Sequence, residues 1–173
     1  MKNRFLLVAA VFLLTAMAGA SPAGDSAVLS IVDAAWTHGV GEDRQPRERL
    51  ERAGPDQPLT LWMKVSCSPG ALEMLRIQGK LPIRHKWSYA SFGGVLAQGT
   101  LNMTDSIALS AGRVELLDLL AAEVRTRGGF DWRTWSTKKN LLRGTWRVRV
   151  SYSDGSPVLC GDKECEYWIE LGE

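Results

Sequence analysis

The sequence predicts an all-β protein: an antiparallel, immunoglobulin-like β-sandwich with one inserted α-helix, preceded by an N-terminal signal peptide. Three observations carry this prediction. About seven short apolar or alternating segments follow one another, separated by glycine, proline and Asp-Gly turn signals. Only one longer segment has helical periodicity. The 173 residues, 45% hydrophobic and 23% charged, have the size and composition of one globular domain.

The first twenty residues have the pattern of a secretory signal peptide. Basic Met1-Lys2-Asn3-Arg4 precedes an apolar run from Phe5 to Met17, and Ala18-Gly19-Ala20 matches a small-residue cleavage site. The apolar run is shorter than the ~20 residues that a membrane-spanning helix needs. We therefore expect 1–20 to be removed and the mature chain to be periplasmic or secreted, with no transmembrane segment.

Without this leader the chain is electrically neutral. The sequence has 21 Lys and Arg against 19 Asp and Glu. Lys2 and Arg4 are the only charged residues of the leader, which leaves 21 − 2 = 19 basic and 19 acidic side chains. A nucleic-acid binder has a strongly basic surface, so nucleic acid is not an expected partner.

Residues 21–58 are predicted to hold a first strand, at 27–36, and a polar loop rich in proline and glycine, at 42–58. The sandwich body then covers 59–173. Its first strand, 59–68, alternates apolar and polar residues, which is typical of a half-buried strand. After a turn at Pro69-Gly70, the segment 71–80 fits either a short helix or a strand. Further strands are predicted at 83–89, 95–103, 130–137, 146–152 and 166–171.

The predicted helix covers 113–127. Its apolar residues recur at helical spacing on one face, Ser110 can cap its start, and Gly128-Gly129 ends it. These apolar residues are Val114, Leu117, Leu120, Ala121 and Val124.

The three cysteines indicate one disulfide in an exported protein. Cys160 and Cys165 flank four polar residues between two strand-like segments, and a tight hairpin there would bring their Cα atoms within disulfide range. Cys67 is then a buried core thiol. The alternative pairing joins Cys67 to one of the C-terminal cysteines across the sandwich.

Four ordered motifs resemble the bacterial domain-of-unknown-function family 2914, over about Leu59 to Leu171. The resemblance implies an exported or periplasmic sandwich module. Because the family has no established activity, the resemblance does not indicate a reaction or a ligand. The segment around 105–129, with its helix, is an insertion relative to the family's shorter loop. The motifs are His85-Lys86-Trp87-Ser88-Tyr89, Trp132-Arg133-Thr134-Trp135-Ser136-Thr137-Lys138, Gly144-Thr145-Trp146-Arg147-Val148, and Asp154-Gly155 followed by Val158-Leu159.

No catalytic, cofactor or metal site is predicted. Ser136, His85 and Asp131 have the residue types of a catalytic triad, but no Gly-x-Ser-x-Gly motif is present. Alternation places His85 in line with Ile83 and Trp87, so a hydrogen-bonded core histidine is expected. The chain has only two histidines, which are too few, and too far apart, for a convincing metal site.

The seven tryptophans point to a binding surface. Strand alternation places Trp87, Trp132 and Trp146 inward, and it places Trp62 and Trp135 outward. Basic residues take outward positions on several of the same strands. The predicted basic-aromatic face consists of Trp62, Lys86, Arg133, Trp135, Arg147 and Arg149.

This face is continuous only if its strands share a sheet. The short connection 138–144 favours antiparallel pairing of strands 130–137 and 146–152. Lys64 and Arg84 would extend the face if their strands join the same sheet. A plain solvated surface, in which arginine stems cover the tryptophans, is the alternative.

The predicted function is that of an exported, non-catalytic module. It binds an acidic protein partner or an envelope glycan through the basic-aromatic face, and an oligosaccharide could stack on Trp62 or Trp135. One alternative is an envelope hydrolase or transferase that uses His85. Another is a structural assembly module in which the same face joins copies of the chain.

Overall fold

The computed structural model describes residues 28–79, 83–90, 102–106 and 114–172. The expected signal peptide, Ser110 and most of the strand expected at 95–103 lie outside these residues. The elements of the described part are β1 (Leu29–Thr37), β2 (Arg52–Ala53), β3 (Leu59–Cys67), α1 (Pro69–Gln78), β4 (Ile83–Ala90), β5 (Asn102–Ser106), α2 (Val114–Arg127), β6 (Phe130–Lys138), β7 (Gly144–Tyr152), β8 (Leu159–Cys160), β9 (Lys163–Glu164) and β10 (Glu166–Leu171).

The strands form two main sheets. One has the order β1-β3-β6, and the other has the order β2-β10-β7-β4-β5. The short β8 and β9 pair as a hairpin of their own. The pairings between these strands are antiparallel, except for a two-residue parallel contact of β10 with β2. The expectation of a mostly β protein is therefore confirmed, although the sheets are not purely antiparallel.

One core lies between the inner faces of the two sheets. Alternation on β3 sends Leu61, Met63 and Val65 inward, and all three are fully buried. From the five-stranded sheet, Trp87 and Trp146 join the same cluster of buried side chains. The period-two pattern thus produces sheets whose inner faces are apolar and can be buried only against each other.

The consecutive strands β6 and β7 do not pair, so the predicted hairpin over 138–144 is wrong. β6 pairs with β3, whereas β7 pairs with β4 and β10. The connection between β6 and β7 therefore crosses from one sheet to the other. Neighbouring strands in sequence usually pair, but a sandwich must include connections that change sheets.

The ambiguous segment after β3 is a helix, so the described part of the chain has two helices where one was expected. Pro69 stands at the start of α1, where its missing N–H costs nothing. Ala71, Leu72 and Leu75 are buried on one face, and Gly79 ends the helix with a φ of 66°. The predicted second helix is confirmed as α2, and Gly128 ends it with a φ of 75°.

Cys160 and Cys165 form a disulfide with Cα atoms 5.0 Å apart, as predicted. The alternative pairing with Cys67 is not formed. Cys67 is a free, buried thiol. Burial, with a contribution from the Asp131 carboxylate, raises the pKa of this thiol to about 12.

Candidate functional site

The six residues of the predicted basic-aromatic face do not form one surface. Arg133 and Trp135 lie on β6, in the three-stranded sheet, whereas Lys86, Arg147 and Arg149 lie on β4 and β7 in the five-stranded sheet. The two groups therefore belong to different layers of the sandwich. This follows directly from the sheet-changing connection between β6 and β7.

Trp62 is buried, so its predicted exposure is wrong. Only 1% of its surface is accessible. Its indole Nε1 donates to the backbone oxygen of Arg44, 2.8 Å away, in the polar loop 42–58. Alternation correctly places Trp62 on the face opposite Leu61 and Met63, but it cannot reveal that a loop packs over that face.

Trp135 lies directly opposite Trp62 in the β3–β6 register and is 39% exposed. Its basic neighbours are occupied within the protein. Arg133 donates through Nε and Nη2 to the Gln45 side-chain oxygen, at 3.1 and 3.2 Å, when that amide is oriented to accept both. Lys64 Nζ lies 2.9 Å from the Asp131 carboxylate. Both cations beside Trp135 therefore already have partners within the protein.

Trp132 packs against the core but is only partly buried. The Arg44 guanidinium lies 5.9 Å from the centre of its ring. Its predicted inward position is thus confirmed in part, with one side of the ring reached by a loop cation.

The most exposed indole of the five-stranded sheet is Trp168, which is not part of the predicted basic-aromatic face. It lies on β10, opposite Arg147 of β7, and is 50% exposed. The Arg147 guanidinium lies 5.2 Å from the ring centre, within range of a cation–π contact. The alternation of β10, where Ile169 and Leu171 are buried, could have identified Trp168 as outward-facing.

Two glutamates balance the arginines beside Trp168. Arg149 Nε lies 2.5 Å from Glu166 and 3.6 Å from Glu164. Arg147 Nη1 lies 3.7 Å from the same Glu166 oxygen. The hydrogen bond that Arg149 donates to Glu166 raises the pKa of the Arg149 guanidinium. The centre of this surface is therefore a paired network and not an unbalanced basic patch.

We call the outward-facing set on β4, β7 and β10 the Trp168 face. Its members alternate with buried residues on the same strands, which belong to the core. It unites three predicted site residues with a tryptophan and two glutamates that were not predicted. It consists of Lys86, Arg147, Arg149, Glu166, Trp168 and Glu170.

His85 lies in the core, as predicted. It is fully buried, and its Nδ1 lies 2.7 Å from the Ser136 hydroxyl oxygen. The Trp87 indole Nε1 donates to the same oxygen, 3.0 Å away. Since His85 and Trp87 lie on β4 and Ser136 on β6, this cluster joins the two sheets through hydrogen bonds.

This cluster does not have the arrangement of a catalytic triad. Asp131 lies on the opposite face of β6 from Ser136 and pairs with Lys64. Burial lowers the pKa of His85 to about 3, so its imidazole is neutral at physiological pH. Ser136 is only 6% exposed, which leaves its hydroxyl out of reach of a substrate in solution.

A polar cleft of about 240 Å³ lies where the ends of β1 and β3 meet the end of α2. Arg127 and Asp131 lie in its lining with their charges 3.9 Å apart. Because these two opposite charges balance each other, the pair gives the cleft no net charge that would attract a cation or an anion. Its other lining residues are Ser30, Ser66, Cys67, Ser68, Gly128, Gly129 and Phe130.

Within residues 28–79, 83–90, 102–106 and 114–172, no group of three or more His, Cys, Asp or Glu could hold a metal ion. In the same ranges, no helix has the length and apolar character needed to cross a membrane. The comparisons with family models, curated proteins and solved structures find no match to this chain.

Proposed function

We propose that this protein is an exported, non-catalytic, immunoglobulin-like β-sandwich module that binds a glycan through the Trp168 face. The observation that carries the proposal is the half-exposed Trp168 indole beside the Arg147 guanidinium, on the outer side of a sheet whose inner side contributes Trp87, Trp146 and Val148 to the core.

The chemistry of this face suits a sugar ring. A sugar presents C–H groups on its flat side and hydroxyl groups around its edge. The Trp168 indole offers an apolar surface for the flat side. Arg147 and Glu166 flank that surface with charged donors and acceptors, which make the stronger kind of hydrogen bond. The half-exposed indole and the charged groups beside it therefore offer both kinds of contact that a sugar ring makes.

The charge balance favours a glycan over an acidic protein. Glu164, Glu166 and Glu170 lie on or beside the face and would repel a strongly acidic partner. Glu166 already neutralises Arg147 and Arg149, so such a partner would have to displace it. A glycan can instead hydrogen-bond to the paired groups without separating them.

Two features support export. The first twenty residues have the basic, apolar and small-residue order of a signal peptide. The Cys160–Cys165 disulfide is of a kind that persists in oxidising compartments such as the periplasm. We therefore place the mature chain in the periplasm or outside the cell.

The test is a binding screen of the mature chain against soluble envelope oligosaccharides, followed by isothermal titration calorimetry. Trp168→Ala should weaken glycan binding at least about tenfold, which corresponds to about 1.4 kcal/mol. Its melting temperature should stay within a few degrees of the parent value, because the side chain is half exposed. Trp135→Ala is the matched control, since it removes an exposed tryptophan from the other sheet.

Equal glycan affinity of Trp168→Ala and the parent protein would contradict binding at the Trp168 face. An equal loss of affinity in Trp168→Ala and Trp135→Ala would also contradict it. If no glycan binds and the chain self-associates in sedimentation through Trp168, the face is an assembly surface and the glycan proposal is wrong.

A further inference from the structure

The Trp168 face is polarised across its strands. The β10 side carries Glu166 and Glu170 beside Trp168. In the middle, on β7, Arg147 and Arg149 pair with Glu166. The charge of the face thus changes from acidic at β10 to basic towards β4.

Lys86 provides the basic end of the face. It is exposed on β4, and its register partners are Arg149 on β7 and Thr104 on β5, neither of them acidic. The ion pairs of the face join its arginines to glutamates, and none in the described part of the chain includes Lys86. Lys86 therefore offers an ammonium group to a ligand.

On the same strand, the cation Arg84 lies near an acidic residue, Asp154. Hydrogen bonds from Ser156, together with the charge of Arg84, lower the pKa of Asp154. Arg149, directly opposite Lys86, is already paired with Glu166 and Glu164. An anion bound over Lys86 would instead neutralise a charge that has no ion pair within the described residues.

The register sets the distance from Lys86 to the indole. Trp168 and Arg147 form one row across the strands, and Glu166, Arg149 and Lys86 form the row two residues away. With strands about 4.8 Å apart and about 3.4 Å per residue, the Cα atoms of Trp168 and Lys86 are about 12 Å apart. This span exceeds a single sugar ring.

We infer that the ligand is an acidic oligosaccharide: one uncharged ring stacks on Trp168, and an anionic substituent on a following sugar lies over Lys86. The inference rests on the proposed function and adds the chemical class of the ligand. A lysine ammonium is a point charge that does not distinguish a carboxylate from a sulfate or a phosphate, so the shared requirement is one negative group at this spacing.

The experiment compares acidic hexasaccharides with their uncharged counterparts by calorimetry on the mature protein. The pairs are a hexasaccharide that alternates neutral and uronate sugars and its carboxyl-reduced form, maltohexaose with a single sulfate and maltohexaose, and maltohexaose with a single phosphate and maltohexaose. At least one acidic member should bind about tenfold more tightly than its counterpart at low salt, and added salt should remove the difference. The pair that shows this difference in affinity identifies the acidic group as a carboxylate, a sulfate or a phosphate.

Lys86→Gln should lower the affinity for that acidic hexasaccharide to the level of its uncharged counterpart and leave the counterpart's own affinity unchanged. Lys139→Gln, at an exposed lysine on the connection after β6, should change neither. Equal binding of acidic and uncharged members would overturn this inference while the proposed function stands, provided that Trp168→Ala still weakens both. Binding of no hexasaccharide at all would contradict the inference and the proposed function together.

Discussion

At the scale of single residues, the indole N–H groups show how this β-sandwich holds its tryptophans. Trp36, Trp62 and Trp146 each donate to a backbone oxygen, and Trp87 donates to the Ser136 hydroxyl. A buried indole N–H needs such a partner. The acceptor for Trp36 is the backbone oxygen of Trp168, 2.9 Å away, so a core tryptophan helps to hold the strand position from which the Trp168 ring faces outward.

Ser136 should be a stability residue. Ser136→Ala removes the hydroxyl that contacts His85 Nδ1 and Trp87 Nε1, and leaves two buried polar groups without that partner. We expect a loss of about 1–3 kcal/mol in the free energy of unfolding, measured in urea. Ser30→Ala, at an exposed position of β1, should change it by no more than about 0.5 kcal/mol. Similar values for the two variants would contradict the structural role of the cluster.

His85 should make stability depend on pH. Its pKa is about 3 in the folded protein, where burial disfavours the charged form, against 6.5 as its ordinary value. Between these values the unfolded chain binds the proton and the folded chain does not. Stability should therefore be full above about pH 6.5 and fall as the pH drops, by at most about 1.4 kcal/mol per pH unit from this group.

The measurement is urea unfolding between about pH 5.5 and 7.5, above the range in which most carboxylates titrate. His85→Gln cannot take up the proton, so its stability should vary less with pH than that of the parent protein. If the free energy of unfolding varies with pH equally in His85→Gln and in the parent protein, the pH dependence comes from other groups.

At the scale of elements, the loop 42–58 acts as a cover for the outer side of the three-stranded sheet. Trp62 and Trp135 are register partners on that side, yet only Trp62 lies under the loop. We expect Trp62→Ala to cost about 3–5 kcal/mol, as for other buried tryptophans, and Trp135→Ala to cost roughly 1 kcal/mol. Thermal and urea unfolding of the two variants would check this. Equal costs would show that the loop does not bury Trp62 in solution.

The β8–β9 hairpin is closed by the disulfide and carries Glu164, which reaches Arg149. Reduction should lower the free energy of unfolding by about 2 kcal/mol, since the closed loop is short. Peptide mapping without reduction should recover Cys160 linked to Cys165. Cys67, with its raised thiol pKa, should react with iodoacetamide only after unfolding. A linked peptide that contains Cys67 would contradict the pairing.

At the scale of the whole molecule, the two sheets share one core and should unfold together. The core joins Leu61 and Met63 of one sheet to Trp146 and Val148 of the other. Tryptophan fluorescence and far-ultraviolet circular dichroism should therefore give coincident unfolding curves for the protein. Two separate transitions would show that the sheets are independent units.

Several residues of the motifs that resemble family 2914 make contacts that stabilise the fold. The motif at 85–89 supplies His85 and Trp87. The motif at 132–138 supplies Ser136, which hydrogen-bonds to both. Gly144 of the Gly-x-Trp motif has a φ of 126°, and a Cβ there would lie 3.1 Å from the Tyr89 ring. These four motif residues stabilise the fold.

Much of the secondary structure could be predicted because it depends on local patterns. Alternation over 59–68 specifies a strand and the side on which each residue lies, and helical spacing specifies α2. The short loop between Cys160 and Cys165 specifies their disulfide. The segment 71–80 is ambiguous in the sequence because Leu72, Leu75 and Ile77 fit both a helix and a strand. Burial of Ala71, Leu72 and Leu75 in the folded protein favours the helix α1.

The sequence by itself thus determined six of the longer strands, the longer helix, the disulfide and the inward position of His85, because each depends on residues close together in the chain. It did not predict the short β2, β8 and β9, and β5 begins at Asn102, near the end of the strand expected at 95–103. Only the tertiary structure decided which sheet each strand joins, what covers Trp62, and that Trp168 lies beside Arg147. Those features depend on pairings such as β3 with β6 and β10 with β7. Alternation tells which side of its own strand a residue occupies, but it contains no information about the neighbouring strand or loop.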